Sequence, residues 1–488
     1  MKDSQQPMSV VVVGTGFSGL AMAIQLRNDG VEDFVVLEKA GDVGGTWREN
    51  TYPGCACDVQ SHLYSYSFEP NPGWSRMFAQ QPEIAGYLRD CVDKYGLRRH
   101  IRFHTEFAGA RFVDETGLWE IETGSGELIV AKAVVLAQGP LHKPLYPNVP
   151  GLDRFTGKTF HSAEWDHSYD LTGKRVAVIG TGASAIQFVP QIAEQAAQVT
   201  LVQRTPAWVM PKLDRRIGRF EQRLYAALPF LQRLYRQSIY WRNEARVLGM
   251  LHPKTMKLLE YVGRANIRRS VKDRALADAL TPDFAVGCKR ILISNDYYPA
   301  LARDNVHVVT NGLSEVTADG IVTADGVTHQ VDAIIYGTGF HVTTGYEDMR
   351  LIGRNGVKIQ EAWGAGPEAY LGAAVAGFPN LFMMLGPNTG LGHSSMVFMA
   401  EAQTRYITAA LALLERTGAR HLDVRACVQA GFNEAVQRRL SNAVWAKGGC
   451  KSWYVDPDGR NRTLWPGYTV SYWWRTRRVN AADYVLSY

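Results

Sequence analysis

Nowhere does the chain string together the roughly eighteen apolar residues that a membrane-crossing helix needs, so no transmembrane segment is read. Its polar start, MKDSQQPMSV, lacks the apolar core of a secretion signal. Cysteine is scarce: six residues, at 55, 57, 91, 288, 427 and 450, form no dense or regular framework. That excludes a disulfide scaffold and makes a reducing cytosol, hence a cytoplasmic location, the simplest compartment. Charge of either sign is muted, with 53 basic and 47 acidic residues leaving +6. Spread over 488 residues, this suits an anionic small ligand but lacks the basic stripe of a nucleic-acid binder. The twelve histidines show no close ligand spacing with Cys or Asp, so no metal site is expected.

What is present points to a well-cored protein of two or three domains, since 46% of residues are hydrophobic and 20% charged. SVVVVGTGFSGLAMAIQL reads as strand, glycine turn and helix, and FVVLE as the next strand. The pattern returns in KRVAVIGTGASAIQFVPQIA followed by VTLVQRTP. Two such openings predict an α/β protein with two Rossmann-like dinucleotide-binding units. KAVVLAQGP and VDAIIYGTGF are further strands ending in glycine, and they bracket the second unit, which is therefore expected as an insertion in the first. The expected order is the first unit over 1–145, the second over 146–214, a helical insertion over 215–285, the second unit again over 286–331, and the first unit with C-terminal loops over 332–488. Residues 215–283 carry apolar and aromatic side chains at helical spacings with Arg between them. Helices packing on the body with solvated Arg faces are the plainer reading, and peripheral membrane contact stays open.

Gly14-Thr15-Gly16-Phe17-Ser18-Gly19 is a full G-x-G-x-x-G, and Glu38 stands nineteen residues beyond Gly19. Glycines allow a tight turn and close approach of a pyrophosphate to a helix N-terminus, and an acid at the next strand's end accepts from ribose hydroxyls. Gly180-Thr181-Gly182-Ala183-Ser184-Ala185 repeats the pattern, but Arg204, followed by Thr205, stands in the acid's place. A guanidinium binds a 2′-phosphate that a carboxylate would repel. The first site thus suits FAD and the second NADPH, with hydride transfer between them as the minimal chemistry. Thr338 and Gly339 close a strand that meets these ligands.

Three more stretches carry a family likeness. Gly44-Gly45-Thr46-Trp47, followed by Tyr52-Pro53-Gly54 and Asp58, resembles the G-G-x-W-(x4)-Y-P-G-(x3)-D segment of Baeyer–Villiger monooxygenases. FTGKTFHSAEWD, with Phe155, Gly157, His161, Trp165 and Asp166, resembles that family's F-x-G-(x3)-H-(x3)-W-(P/D) fingerprint. Cys288-Lys289-Arg290 resembles the segment bearing its catalytic arginine, and the likeness spans residues 9–400, with SWY at 452–454 and LWPG at 464–467 beyond.

The resemblance implies an NADPH- and O2-dependent flavoprotein that, through a C4a-peroxyflavin, inserts oxygen beside the carbonyl of an apolar ketone to give an ester or lactone. It implies Arg290 as the charge holding an anionic peroxide and a developing oxyanion, and Asp58 as the carboxylate orienting Arg290. Lys289 joins Arg204 at the 2′-phosphate. Gly45, Thr46, Trp47 and Tyr52 fall by the flavin ring. The loop LGPNTGLGHSSM, with Asn388, His393 and Ser394, falls at the ring's end, and Trp453 on a loop closing over NADP. His161 takes a hydrogen-bonding part in a hinge between the units. Three alternatives remain open. One is a heteroatom monooxygenase acting on sulfides or amines, which Trp165 disfavours. The others are a disulfide reductase using Cys55 and Cys57, and a flavoprotein without catalysis. Oligomeric state is not read.

Overall fold

The computed structural model describes residues 6–251, 256–342, 348–450, 452–456 and 458–488. The start of the chain, four residues of the helical insertion and Lys451 of the C-terminal loops fall outside them, as do 343–347.

The first apolar run, Met8–Val13, lies at the middle of an eight-stranded sheet between Leu128–Leu136 and Phe34–Leu37. Its valines are buried on both faces, as expected of a parallel strand covered by helices on either side. Phe17–Asn28 follows directly after the glycine turn. Arg350–Ile352 and Leu381–Met383 complete this sheet from the far end of the chain. The second sheet holds five parallel strands in the order Val306–Val309, Gln198–Val202, Arg175–Ile179, Ala333–Tyr336 and Lys158–His161. Each sheet has its own glycine turn and helix, Ala185–Ile192 being the second unit's. The fold is α/β with two Rossmann-like units.

Two expectations shift. Ala333–Tyr336 pairs with both Lys158–His161 and Arg175–Ile179 inside the second sheet, so the boundary expected at 331/332 falls beyond Tyr336. Within FTGKTFHSAEWD, read as a connector and hinge, Lys158–His161 is a regular edge strand, with Tyr336 opposite His161. Four residues at a sheet edge, only two of them buried, are too few to show a period. The two crossings lie side by side: Leu145 N donates to Gly339 O (2.9 Å) and Thr338 Oγ1 to Leu145 O.

The 215–285 region folds as Arg219–Ala227, Pro229–Leu251, Lys257–Ser270 and Arg274–Ala279. The long helix Pro229–Leu251 packs on the first unit, where Arg236 Nη1 donates to the carbonyls of His62 (2.7 Å), Leu63 (3.1 Å) and Ser65 (3.0 Å).

Candidate active site

The helix after the first glycine turn starts with no side-chain cap and no acid in its first turn, leaving its N-terminal dipole open to an anion. At Gly19 a Cβ would come within 1.9 Å of Gly14 O, so only glycine lets the helix sit this close to the turn. Ser18 is buried, and Phe17 meets Tyr64 and Tyr66 edge-on at 5.1 and 5.3 Å. Gly45 lies against Gly16, Thr46 beside it is exposed, and Trp47 is buried with Nε1 donating to Tyr64 Oη (3.1 Å).

Glu38 sits where the spacing placed it, but its carboxylate is already engaged. Thr15 N (3.1 Å) and Thr15 Oγ1 (2.5 Å) donate to one oxygen, and Ala40 N (2.9 Å) and Arg48 Nη1 (2.8 Å) to the other. A ribose would therefore share Glu38 with Arg48, a neighbour that no spacing rule flagged.

The second cradle repeats the open helix start, without cap or acid. Thr181 Oγ1 donates to Thr205 O (3.0 Å), holding the turn against the next strand's end; Gly182 and Ala183 are exposed and Ser184 half-buried. Arg204 is exposed and close enough to Lys289 for their charges to interact. Burial first, then Arg204, lowers the Lys289 ammonium below its ordinary value. A dianionic phosphate between two such cations relieves their repulsion, so the residues fit a 2′-phosphorylated dinucleotide.

Arg290 and Asp58 meet where the two units face each other. Nε donates to Oδ2 (3.0 Å) and Nη2 to Oδ1 (2.8 Å) and Oδ2 (2.6 Å), with both side chains partly open to solvent. Asp58 drives the guanidinium's pKa still higher, so Arg290 is a fixed cation. Around the pair stand residues that sequence reasoning missed. Tyr454 is buried and its phenol is pushed up to about 12, chiefly by burial. Lys212 has its ammonium lowered by burial. Tyr64 lies on the Trp47 side.

Tyr52 of the Tyr-Pro-Gly turn, expected by the flavin ring, is buried and reaches the second unit. The Tyr52 hydroxyl instead donates to Gln187 Oε1 (3.0 Å) on the second unit's helix. Gln187 also takes Ala56 N (3.2 Å) and donates to Ala56 O (2.9 Å). A Cβ on Gly54 would meet Gln187 O at 2.7 Å, which is why glycine stands at this crossing. A cavity of about 400 Å³ lies here, lined by Arg76, Gln187, Lys212 and Asn295 among others.

The loop from Asn388 to Ser394 is also more internally bonded than expected. Asn388 Nδ2 donates to Asn461 O (2.7 Å) and Leu464 O (3.1 Å), so its amide ties the loop to the LWPG segment and is not free to donate to a flavin. His393 Nε2 hydrogen-bonds Glu244 Oε1 (3.1 Å), both side chains being buried. Ser394 Oγ is buried without a partner among the described residues, which fits a hydrogen bond to a bound group. His161 is fully buried between Tyr146 and Phe340, with Nδ1 accepting from Ala163 N (3.1 Å) and Nε2 without a hydrogen-bond partner among the described residues.

The cysteine reading changes. Cys288, two residues before Arg290, is disulfide-bonded to Cys450, just before the loop bearing Trp453 and Tyr454. Trp453 is half exposed and lies 4.4 Å from the Tyr454 ring, centroid to centroid. Cys55 and Cys57 are both free and buried; burial pushes the Cys55 thiol up to about 11 and the Cys57 thiol higher still. Buried, unjoined to each other and separated by a single residue, they lack the arrangement that the disulfide-reductase alternative needs. Among the described residues no cluster could hold a metal ion, and no helix is long and apolar enough to cross a membrane.

Two glycine cradles facing one arginine–carboxylate pair define a two-dinucleotide flavoprotein, and the comparisons agree. The family described as flavin-binding monooxygenase-like matches residues 8–360. Similar proteins include a Baeyer–Villiger monooxygenase of Pseudomonas aeruginosa, 51% identical over 98% of this chain and 91% of its own length. Another from Streptomyces coelicolor is 51% identical over 97% and 92%. The crystal structure of OTEMO in complex with FAD and NADP superposes with a TM-score of 0.89 at 30% identity, covering 99% of this chain and all of that one. The chain belongs to the flavin-binding monooxygenase-like family and, within it, to the Baeyer–Villiger monooxygenases.

Proposed function

We infer that the protein uses NADPH and O2 to insert one oxygen atom between the carbonyl carbon of an apolar ketone and its neighbour, giving an ester or lactone. One ketone, one O2, one NADPH and a proton yield ester, NADP+ and water. The observation that carries this reading is the bidentate Arg290–Asp58 pair at the junction of the two cradles.

FAD, when bound, takes the hydride from NADPH and activates O2; the protein's residues bind, orient and hold charge around it. The first helix start receives its pyrophosphate, Glu38 shares its ribose with Arg48, and Ser394 Oγ supplies a hydrogen bond. The second helix start receives NADP, and Arg204 with Lys289 clamps its 2′-phosphate. Arg290 holds a permanent positive charge beside the oxygen that becomes anionic as the ketone is attacked, and it cannot quench that anion by giving up a proton. Asp58 keeps the guanidinium oriented between turnovers. Gln187, tied to Tyr52 and Ala56, holds the two units in register. A cytoplasmic location supplies the NADPH.

NADPH consumption over a panel of linear, cyclic and aromatic ketones and a thioether, with product mass, tests the reading. A product heavier than its ketone by one oxygen supports it; oxidation of the thioether alone refutes it.

A further inference from the structure

The long insertion helix Pro229–Leu251 is mixed in polarity on both faces. Its buried face carries Gln232, Arg236, Asn243 and Glu244 beside Ile239, Tyr240, Val247 and Met250. Three of these polar groups are held by the body: Arg236 by three carbonyls, Gln232 by Asn71 O (2.7 Å), and Glu244 by Thr469 N (2.9 Å) and Oγ1 (2.7 Å), while Asn243 Nδ2 donates to Gln60 Oε1 (3.3 Å) and its Oδ1 has no partner among the described residues. The outward face carries Phe230, Leu234, Trp241 and Leu248, spaced by four, seven and seven residues and each more than half exposed. A helix that leaves such a row of large apolar side chains exposed beside arginines has no partner along that row among the described residues. The insertion as a whole shares the feature. Eleven of the twenty-two large apolar side chains exposed among the described residues fall within 213–262, including Phe220, Leu258 and Tyr261.

Charge decides what covers this face. Residues 215–270 hold thirteen basic and three acidic side chains, net +10, so the rest of the chain is net −4 against a total of +6. Arg219, Arg223, Arg233 and Arg242 are exposed on the same two helices. Of the acids there, Glu244 is buried and Glu221 is paired with Arg215 (2.7 Å). A second copy docking face to face would set this positive surface against its like. An anionic lipid surface instead meets the arginines with headgroups and takes Phe230, Leu234, Trp241 and Leu248 into the headgroup–acyl boundary.

We propose that the outward faces of the helices Arg219–Ala227, Pro229–Leu251 and Lys257–Ser270 dock the enzyme on anionic membrane surfaces. The FAD-loaded full chain is sedimented with phosphatidylcholine vesicles, with and without phosphatidylglycerol. The expected result is co-sedimentation with the phosphatidylglycerol vesicles that weakens as salt is raised. Arg233→Glu with Arg242→Glu is expected to weaken partitioning by about tenfold or more. Leu234→Asn with Trp241→Asn is expected to weaken it comparably while NADPH oxidation in solution stays at the wild-type rate. The proposal is overturned if the wild type ignores both vesicle types, or if either double variant binds phosphatidylglycerol vesicles as the wild type does. It is also overturned if the wild type is a dimer that the Leu234/Trp241 variant converts to monomer, which would assign the face to a second copy.

Discussion

Cys288 and Cys450, 162 residues apart, are joined two residues before Arg290 and two residues before the strip Ser452–Tyr454. The bond fastens the C-terminal loop to the segment that presents the arginine. Tyr454 stands beside Arg290 on one side of this link, and Lys289 on the other.

Cys450→Ser should therefore act on stability and on turnover. A cross-link closing so long a loop stabilises by about 2–5 kcal/mol, read as a lower denaturant midpoint. Loosened placement of Arg290 should lower kcat by somewhere between about threefold and a hundredfold. Dithiothreitol should bring the wild type to the variant's values and leave the variant unchanged. Equal midpoints with and without reductant would contradict the link.

Arg204→Ala removes one half of the proposed phosphate clamp. A charge-assisted bidentate contact is worth about 1.5–3 kcal/mol, so KM for NADPH should rise by about tenfold to a hundredfold. KM for NADH should change little, because that cofactor lacks the phosphate. Steady-state kinetics with both cofactors decides, and equal effects would remove Arg204 from the clamp.

Gln187→Ala unties Tyr52 and Ala56 from the second unit's helix. Three hydrogen bonds are lost, and units free to shift should consume NADPH without delivering oxygen to ketone. The expected readout is a lower ratio of ester formed to NADPH consumed, with NADPH affinity near wild type. An unchanged ratio would make Gln187 a packing residue only.

Glu244→Ala leaves His393 and Thr469 without their buried partner. Orphaning buried polar groups this way costs about 2–4 kcal/mol, to be measured by urea unfolding. Glu244→Gln, which keeps an acceptor, should recover most of that loss.

The glycine cradles were legible because their requirement is local: a run of buried-strand residues, a turn and a helix lie consecutively along the chain. Even their difference is explained, since the third position must be glycine where a Cβ would strike Gly14 O, whereas Ala185 is accommodated at the second turn. The disulfide was illegible because two cysteines so far apart leave no local pattern. A side chain such as Asn388 in a glycine-rich loop reads as ligand-facing, whereas its amide nitrogen turns inward to carbonyls 73 and 76 residues away. Glu38 stands at the glycine turn as its spacing implied, but its pairing with Arg48 was not foreseen, for that arginine comes from the short helix Thr46–Glu49 beyond it. The facing of the helix Pro229–Leu251 hid for a similar reason: its apolar spacing was readable, but which face met the body depended on carbonyls of residues 62–65.

The account stands or falls on Arg290. In Arg290→Ala, stopped-flow reduction of the bound FAD by NADPH should proceed within about tenfold of wild type, since the proposed phosphate clamp of Arg204 and Lys289 is left intact. Ester formation from a ketone that the wild type converts should be lost, with oxygen consumption no longer yielding product. An Arg290→Ala protein that forms ester at the wild-type rate would contradict the central claim.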